Sequence, residues 1–94
     1  MTRATPLDIS FTSALGKVRE GDTWTCAQLP DSATIFNTHG LVKVEGTMDG
    51  EPFRGAFMAL GDGTHKLPVS AAIRKRIGKT DGDTVTIHLS SRLN

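Results

Sequence analysis

Apolar and polar positions alternate with a period of two over most of the chain, and this predicts a mainly β protein. Ile9, Phe11, Ser13 and Leu15 share one face of a first strand. Thr23 to Leu29 is β-branched and aromatic, and reads as its hairpin partner across an Arg19-Glu20-Gly21-Asp22 turn. There Trp24 and Cys26 fall on one face, Ala27 and Leu29 on the other, which predicts a bulge or burial on both sides. Val42, Val44, Gly46 and Met48 point inward from a strand over 41–48, and Asp49-Gly50 turns it into a hairpin. The return strand, 52–60, places Phe53, Gly55, Phe57 and Ala59 on one face. Its other face carries Arg54, Ala56, Met58 and Leu60, more apolar than a solvated side requires. Gly61-Asp62-Gly63 makes a turn and Thr64 to Leu67 a short strand. Val85, Ile87 and Leu89 face inward from a last strand beginning at Thr84. Residues 1–6 read as a disordered lead and 90–94 as a polar tail.

Two stretches switch to a helical period. After Pro30, Asp31 or Ser32 caps a short helix whose apolar members are Ala33, Ile35 and Phe36, with Gly40 as its stop. After Pro68, Val69, Ile73 and Ile77 form one stripe spaced by four, and Gly78 closes the turn. These stretches resemble each other. LPDSATIFNTHG, from Leu29 to Gly40, and LPVSAAIRKRIG, from Leu67 to Gly78, agree at Leu, Pro, Ser, Ala, Ile and Gly. Phe11-x-Ser13-Ala14-Leu15 likewise resembles Phe53-x-Gly55-Ala56-Phe57. The expected architecture is one domain over 1–94, a small six-stranded barrel built from two pseudo-symmetric halves, roughly 7–48 and 49–90. Two short helices cap it, and closure removes the exposed strand edges. Gly46 and Gly55 are placed to mark tight bends.

Size and cysteine content narrow the class. A chain of 94 residues buries enough surface for one core without staples. A single cysteine, Cys26, rules out an intrachain disulfide and fits a reducing cytoplasm. No apolar run is long enough for a signal peptide or a membrane span, so the expected setting is soluble and cytoplasmic.

The net charge of +1 hides an asymmetry. Residues 1–65 hold five Lys/Arg against eight Asp/Glu, a balance of −3, whereas 66–94 hold six against two, a balance of +4. Lys66, Arg74, Lys75, Arg76 and Lys79 form the candidate nucleic-acid face, although the matching positions of the first half, Phe36, Asn37 and Thr38, are not basic. Trp24, Ala56, Met58 and Leu60 form a candidate apolar contact face for an unidentified protein or small ligand, in a monomer or homodimer. His39, His65 and His88 have no metal-ligand spacing and read as surface or turn residues. Cys26 lacks a neighbouring base and reads as a small buried side chain. Asp62, Asp81 and Asp83 flank glycines and read as turn residues. No catalytic set and no cofactor motif can be assembled, so the expected function is a non-enzymatic binding or interaction module.

Two family resemblances bear on this. Phe11, Trp24, Leu29-Pro30, Gly40, Val44-x-Gly46-Thr47, Asp49-Gly50-x-Pro52-Phe53, Gly61-Asp62-Gly63-x-His65, Arg74-Lys75 and Gly82-Asp83-x-Val85 resemble the small bacterial family known as domain of unknown function 1905. That resemblance implies a double-split β-barrel and no particular activity. Leu67 to Leu89 is also similar to the swapped-hairpin DNA-binding proteins of the AbrB and MazE type. There, two short chains complete one barrel, which implies a DNA-binding or regulatory role as the alternative function.

Overall fold

A computed structural model describes residues 5–17, 24–29, 31–61 and 63–93. It contains six strands and two short helices in the order β1 (Thr5–Ala14), β2 (Cys26–Leu29), α1 (Ser32–Phe36), β3 (Val42–Met48), β4 (Glu51–Ala59), β5 (His65–Pro68), α2 (Ala71–Ile77) and β6 (Thr84–Arg92). The turn expected at 19–22, Pro30 and Asp62 lie outside the described residues.

Every strand pairing is antiparallel, in the order β1-β6-β3-β4-β5-β2. The sheet curls until its two edge strands meet at one bridge, Gly16 with Cys26, whose amides and carbonyls exchange hydrogen bonds of 2.8 and 3.1 Å. The Ser13 hydroxyl also accepts from the Gln28 amide, at 3.0 Å. The expected barrel is thus a curled half-barrel whose seam is held by a few bonds. The expected β1–β2 hairpin is corrected: β2 pairs along its length with β5, from Cys26 opposite Pro68 to Leu29 opposite His65.

Thr5 and Pro6, expected in the lead, and residues 90–92, expected in the tail, belong to the sheet, while residues 1–4 and 94 lie outside the described residues. Thr5 and Pro6 pair with Arg92 and Ser91, and the Leu93 amide donates to the Lys43 carbonyl at 2.7 Å. Arg92 Nη1 donates to the Phe36 carbonyl at 2.8 Å, so the end of β6 holds the last turn of α1.

Most inward positions match the alternation, but Ala59, expected on the inward face of β4, is exposed. Val42, Val44, Met48, Phe53, Phe57, Val85, Ile87 and Leu89 are buried, with Leu15, Leu29, Phe36 and Leu67 completing the core. Phe57 is its centre, with ring centroids 5.2 Å from Phe36 and 6.4 Å from Phe11. Asp49 and Gly50 both take positive φ, 48° and 87°, which suits the twist of the β3–β4 hairpin. Gly46 sits where the β3–β6 register shifts, and a Cβ there would lie 1.9 Å from the His88 carbonyl oxygen. Only glycine lets the two backbones approach this closely. A Cβ on Gly55 would meet Leu67 Cδ1 at 3.0 Å.

The helices differ more than their sequences suggest. Gly78 ends α2 in the left-handed region, and Ser70 caps its start by accepting from the Ile73 amide at 3.2 Å. Val69 is buried just before the helix, with Ile73 and Ile77 packed against the core. In α1 the left-handed residue is Asn37 instead of Gly40, so the helix stops three residues early. Asp31, also left-handed, precedes the helix without a side-chain cap, and Ser32 turns inward.

Exchanging β1 with β4, β2 with β5 and β3 with β6 leaves the strand order unchanged once the Gly16–Cys26 bridge closes the ring. The offset between the two Leu-Pro segments also carries Gln28 onto Lys66, and these residues face each other across the β2–β5 ladder.

Candidate functional site

Phe53 and Phe57 of β4 are buried, and because successive side chains of a strand point to opposite faces, Ala56 and Met58 turn outward. They do not meet open solvent. Trp24 and Thr25, just before β2, and the segment from Pro68 to Ala71 line a cleft of about 540 Å³ together with Leu41. Gly55, Ala56 and Met58 form its floor. That volume lies within the roughly 300–1,000 Å³ of small-molecule sites. Trp24 and Leu41 are 53% and 46% exposed, a large apolar area left on view at the cleft mouth.

Three of the four residues expected in the apolar face, Trp24, Ala56 and Met58, line this cleft. Leu60 is half-buried but lies outside it, where its amide donates to the Thr64 carbonyl at 3.0 Å. Sequence reasoning missed Leu41. The signal was available, because Val42 faces inward and its predecessor must therefore face out.

The basic residues spread over several places. The Lys66 ammonium lies 5.9 Å from the centroid of the Trp24 ring, in cation–π range. Arg74 lines the cleft, its Nε donating to the Val69 carbonyl at 3.2 Å. Lys75 and Arg76 are exposed on α2. Lys79 turns away, donating to the Thr84 carbonyl at 3.0 Å with Asp49 at 3.6 Å.

A polar cluster ties the rim to the turn after α2. Lys17 Nζ donates to Asp81 at 2.8 Å and to Thr25 Oγ1 at 3.2 Å, and the Thr25 hydroxyl donates to Asp81 at 2.5 Å. The Lys17 hydrogen bond, followed by that from Thr25, holds the Asp81 carboxyl below its ordinary pKa. Asp81 is thus more than a turn residue. Asp83 keeps to the turn role and accepts from the Thr80 amide at 2.9 Å.

The histidines occupy separate places. His65, expected on a turn, is fully buried. Its Nε2 lies 2.8 Å from the Gly40 carbonyl, which can only accept, so Nε2 carries the proton. In the neutral ring, Nδ1 therefore accepts from the buried Ser32 hydroxyl at 2.6 Å. His88 contacts Ser10 at 2.8 Å, with Asp8 at 3.6 Å. This Ser-His-Asp grouping lies on the outer sheet surface, away from the Trp24 cleft, and Asp8 is almost wholly exposed. His39 is exposed. Among the described residues, no three His, Cys, Asp or Glu side chains gather as a metal site. Cys26 is buried, with its thiol 3.8 Å from the Trp24 carbonyl. No helix of the described residues is long and apolar enough to cross a membrane.

Comparison with curated proteins returns no match. Residues 11–89 match the family described as Domain of unknown function (DUF1905), and since the match spans most of the chain, the protein belongs to that family.

Proposed function

We propose that this protein is a non-catalytic binding module whose site is the cleft beside Trp24. The observation that carries this reading is the pairing of an exposed indole with a concave apolar floor, Ala56 and Met58, on the outer face of β4. An indole so placed gains contact area when a small ligand covers it. The hydroxyls at the cleft favour binding over chemistry. Thr25 is engaged by Asp81 and Lys17, and Ser70 caps α2. The Asp81 carboxylate that accepts from Thr25 has its pKa lowered by Lys17 and by that bond, which makes it a weak base for activating the hydroxyl.

Trp24 is the chain's only tryptophan, so its fluorescence reports occupancy of the cleft directly. A fragment screen on the full chain should yield compounds that shift or quench this emission. Ala56→Phe, which fills the floor, should abolish the response while leaving the unfolding midpoint within a few degrees of native. Unaltered binding to Ala56→Phe would place the ligand elsewhere.

The same reading includes a cytoplasmic setting, supported by a lone cysteine that is buried in β2. It also includes an origin by duplication. In support, the strand order survives exchange of the two halves, and Gln28 faces Lys66 at the offset of the sequence match. The DNA-binding alternative draws support from the exposure of Lys75 and Arg76 on α2. It requires a mobility shift on duplex DNA that weakens steeply with salt and is reduced by substituting both residues with alanine.

A further inference from the structure

The groups that face the cleft define the class of ligand, an inference that rests on the binding reading above. Most of the lining is apolar, and the one cation lining it, among the described residues, is Arg74. The bond from Nε to the Val69 carbonyl fixes the guanidinium against the cleft wall. Its two terminal nitrogens have no protein partner among the described residues. They present a planar pair of N–H donors of the kind that fits a carboxylate through two parallel bonds. Lys66, held over the Trp24 ring, places a second positive charge beside the same mouth. No Asp or Glu lines the cleft among the described residues. The acid nearest in influence, Asp81, feels the Arg74 charge weakly and accepts its hydrogen bonds from Lys17 and Thr25.

We propose that the cleft takes a small amphipathic carboxylate, its apolar body over Met58 and against Trp24 and Leu41, its carboxylate paired with the Arg74 guanidinium. Charge complementarity decides the polar end. A cationic ligand would meet Arg74 and Lys66, and a neutral one would leave the guanidinium to water. A strongly hydrated dianion would gain little from the apolar floor.

Octanoate and octanamide, which differ at the head group and share a chain, separate the alternatives. Each is titrated against the full chain at low salt, read by Trp24 fluorescence and by the single indole N–H resonance. Octanoate should bind at least about tenfold more tightly, the effect of one charge-assisted hydrogen bond. Arg74→Gln should weaken octanoate to the level of octanamide and leave octanamide unchanged, and Arg74→Lys should retain part of the preference. Equal affinities of the two probes for the native protein would overturn the carboxylate assignment while leaving the cleft a binding site. No response to either probe, nor to any fragment of the screen, would remove both. The native comparison alone decides the matter should Arg74→Gln fail to fold.

Discussion

Replacing His65 with leucine tests the polar contact at the heart of this core. The side chains are similar in bulk, so the change removes hydrogen bonds more than volume. The fully buried Ser32 hydroxyl loses its 2.6 Å partner, which costs about 1–3 kcal/mol. The Gly40 carbonyl belongs to an exposed residue and can turn to water, so it adds little. The ring also meets Phe36 and Phe57 edge-on, with centroids at 5.9 and 6.5 Å. Losing those contacts brings the expected total to about 2–4 kcal/mol. Ser32→Ala alone should cost about 1–3 kcal/mol, because it orphans Nδ1. The double variant should fall short of the sum by about 1 kcal/mol, since the second change removes a group already without a partner. Urea unfolding followed by far-ultraviolet circular dichroism measures all three, with m-values expected to stay constant. Trp24 is a poor probe here because it lies outside the core. A His65→Leu protein within about 0.5 kcal/mol of native, or strictly additive costs, would show that the Ser32–His65 hydrogen bond does not stabilise the core.

Two further predictions concern the frame around the cleft. Gly46→Ala drives a methyl to 1.9 Å from the His88 carbonyl oxygen, against backbone that cannot swing aside. It should destabilise by about 3 kcal/mol or more in urea, whereas Gly16→Ala, with nothing within 4 Å, should stay within about 0.5 kcal/mol of native. Asp81 contributes through a carboxyl whose folded pKa lies below its unfolded value near 3.8. That contribution is present above the unfolded pKa and is lost as pH falls through the folded one. The stability difference between native protein and Asp81→Asn should therefore be level near neutrality and shrink below about pH 4; a difference independent of pH would show that the Lys17 and Thr25 contacts do not discriminate between the two protonation states.

Local signals made the β3–β4 hairpin legible. The alternation holds through β3 and as far as Phe57 in β4, and Asp49-Gly50 supplies the two positive φ angles that the turn requires. Ile73, Ile77 and the Gly78 stop were legible for the same reason, although α2 begins at Ala71 and leaves Val69, expected in its stripe, buried ahead of the helix. What escaped depends on contacts between residues far apart. Thr5 and Pro6 become strand only because Ser91 and Arg92 lie opposite, and neither segment carries an apolar pattern. The partner of β2 is β5, a choice made by the ring as a whole and not by a nearby turn. His65 is buried because Ser32 and Gly40, both distant in sequence, satisfy its two nitrogens. Within the cleft, parity alone located Ala56 and Met58. The inward turn of Arg74 depends on the Val69 carbonyl, which the spacing of basic residues did not reveal.

Amide, indole and methionine methyl shifts followed by nuclear magnetic resonance during a fragment titration locate the surface where a ligand meets this protein. Shifts should concentrate at Trp24, Leu41, Ala56, Met58 and Arg74, with the far β1–β6 face silent. Shifts centred on that far face, or on Lys75 and Arg76 with the indole unmoved, would contradict the account.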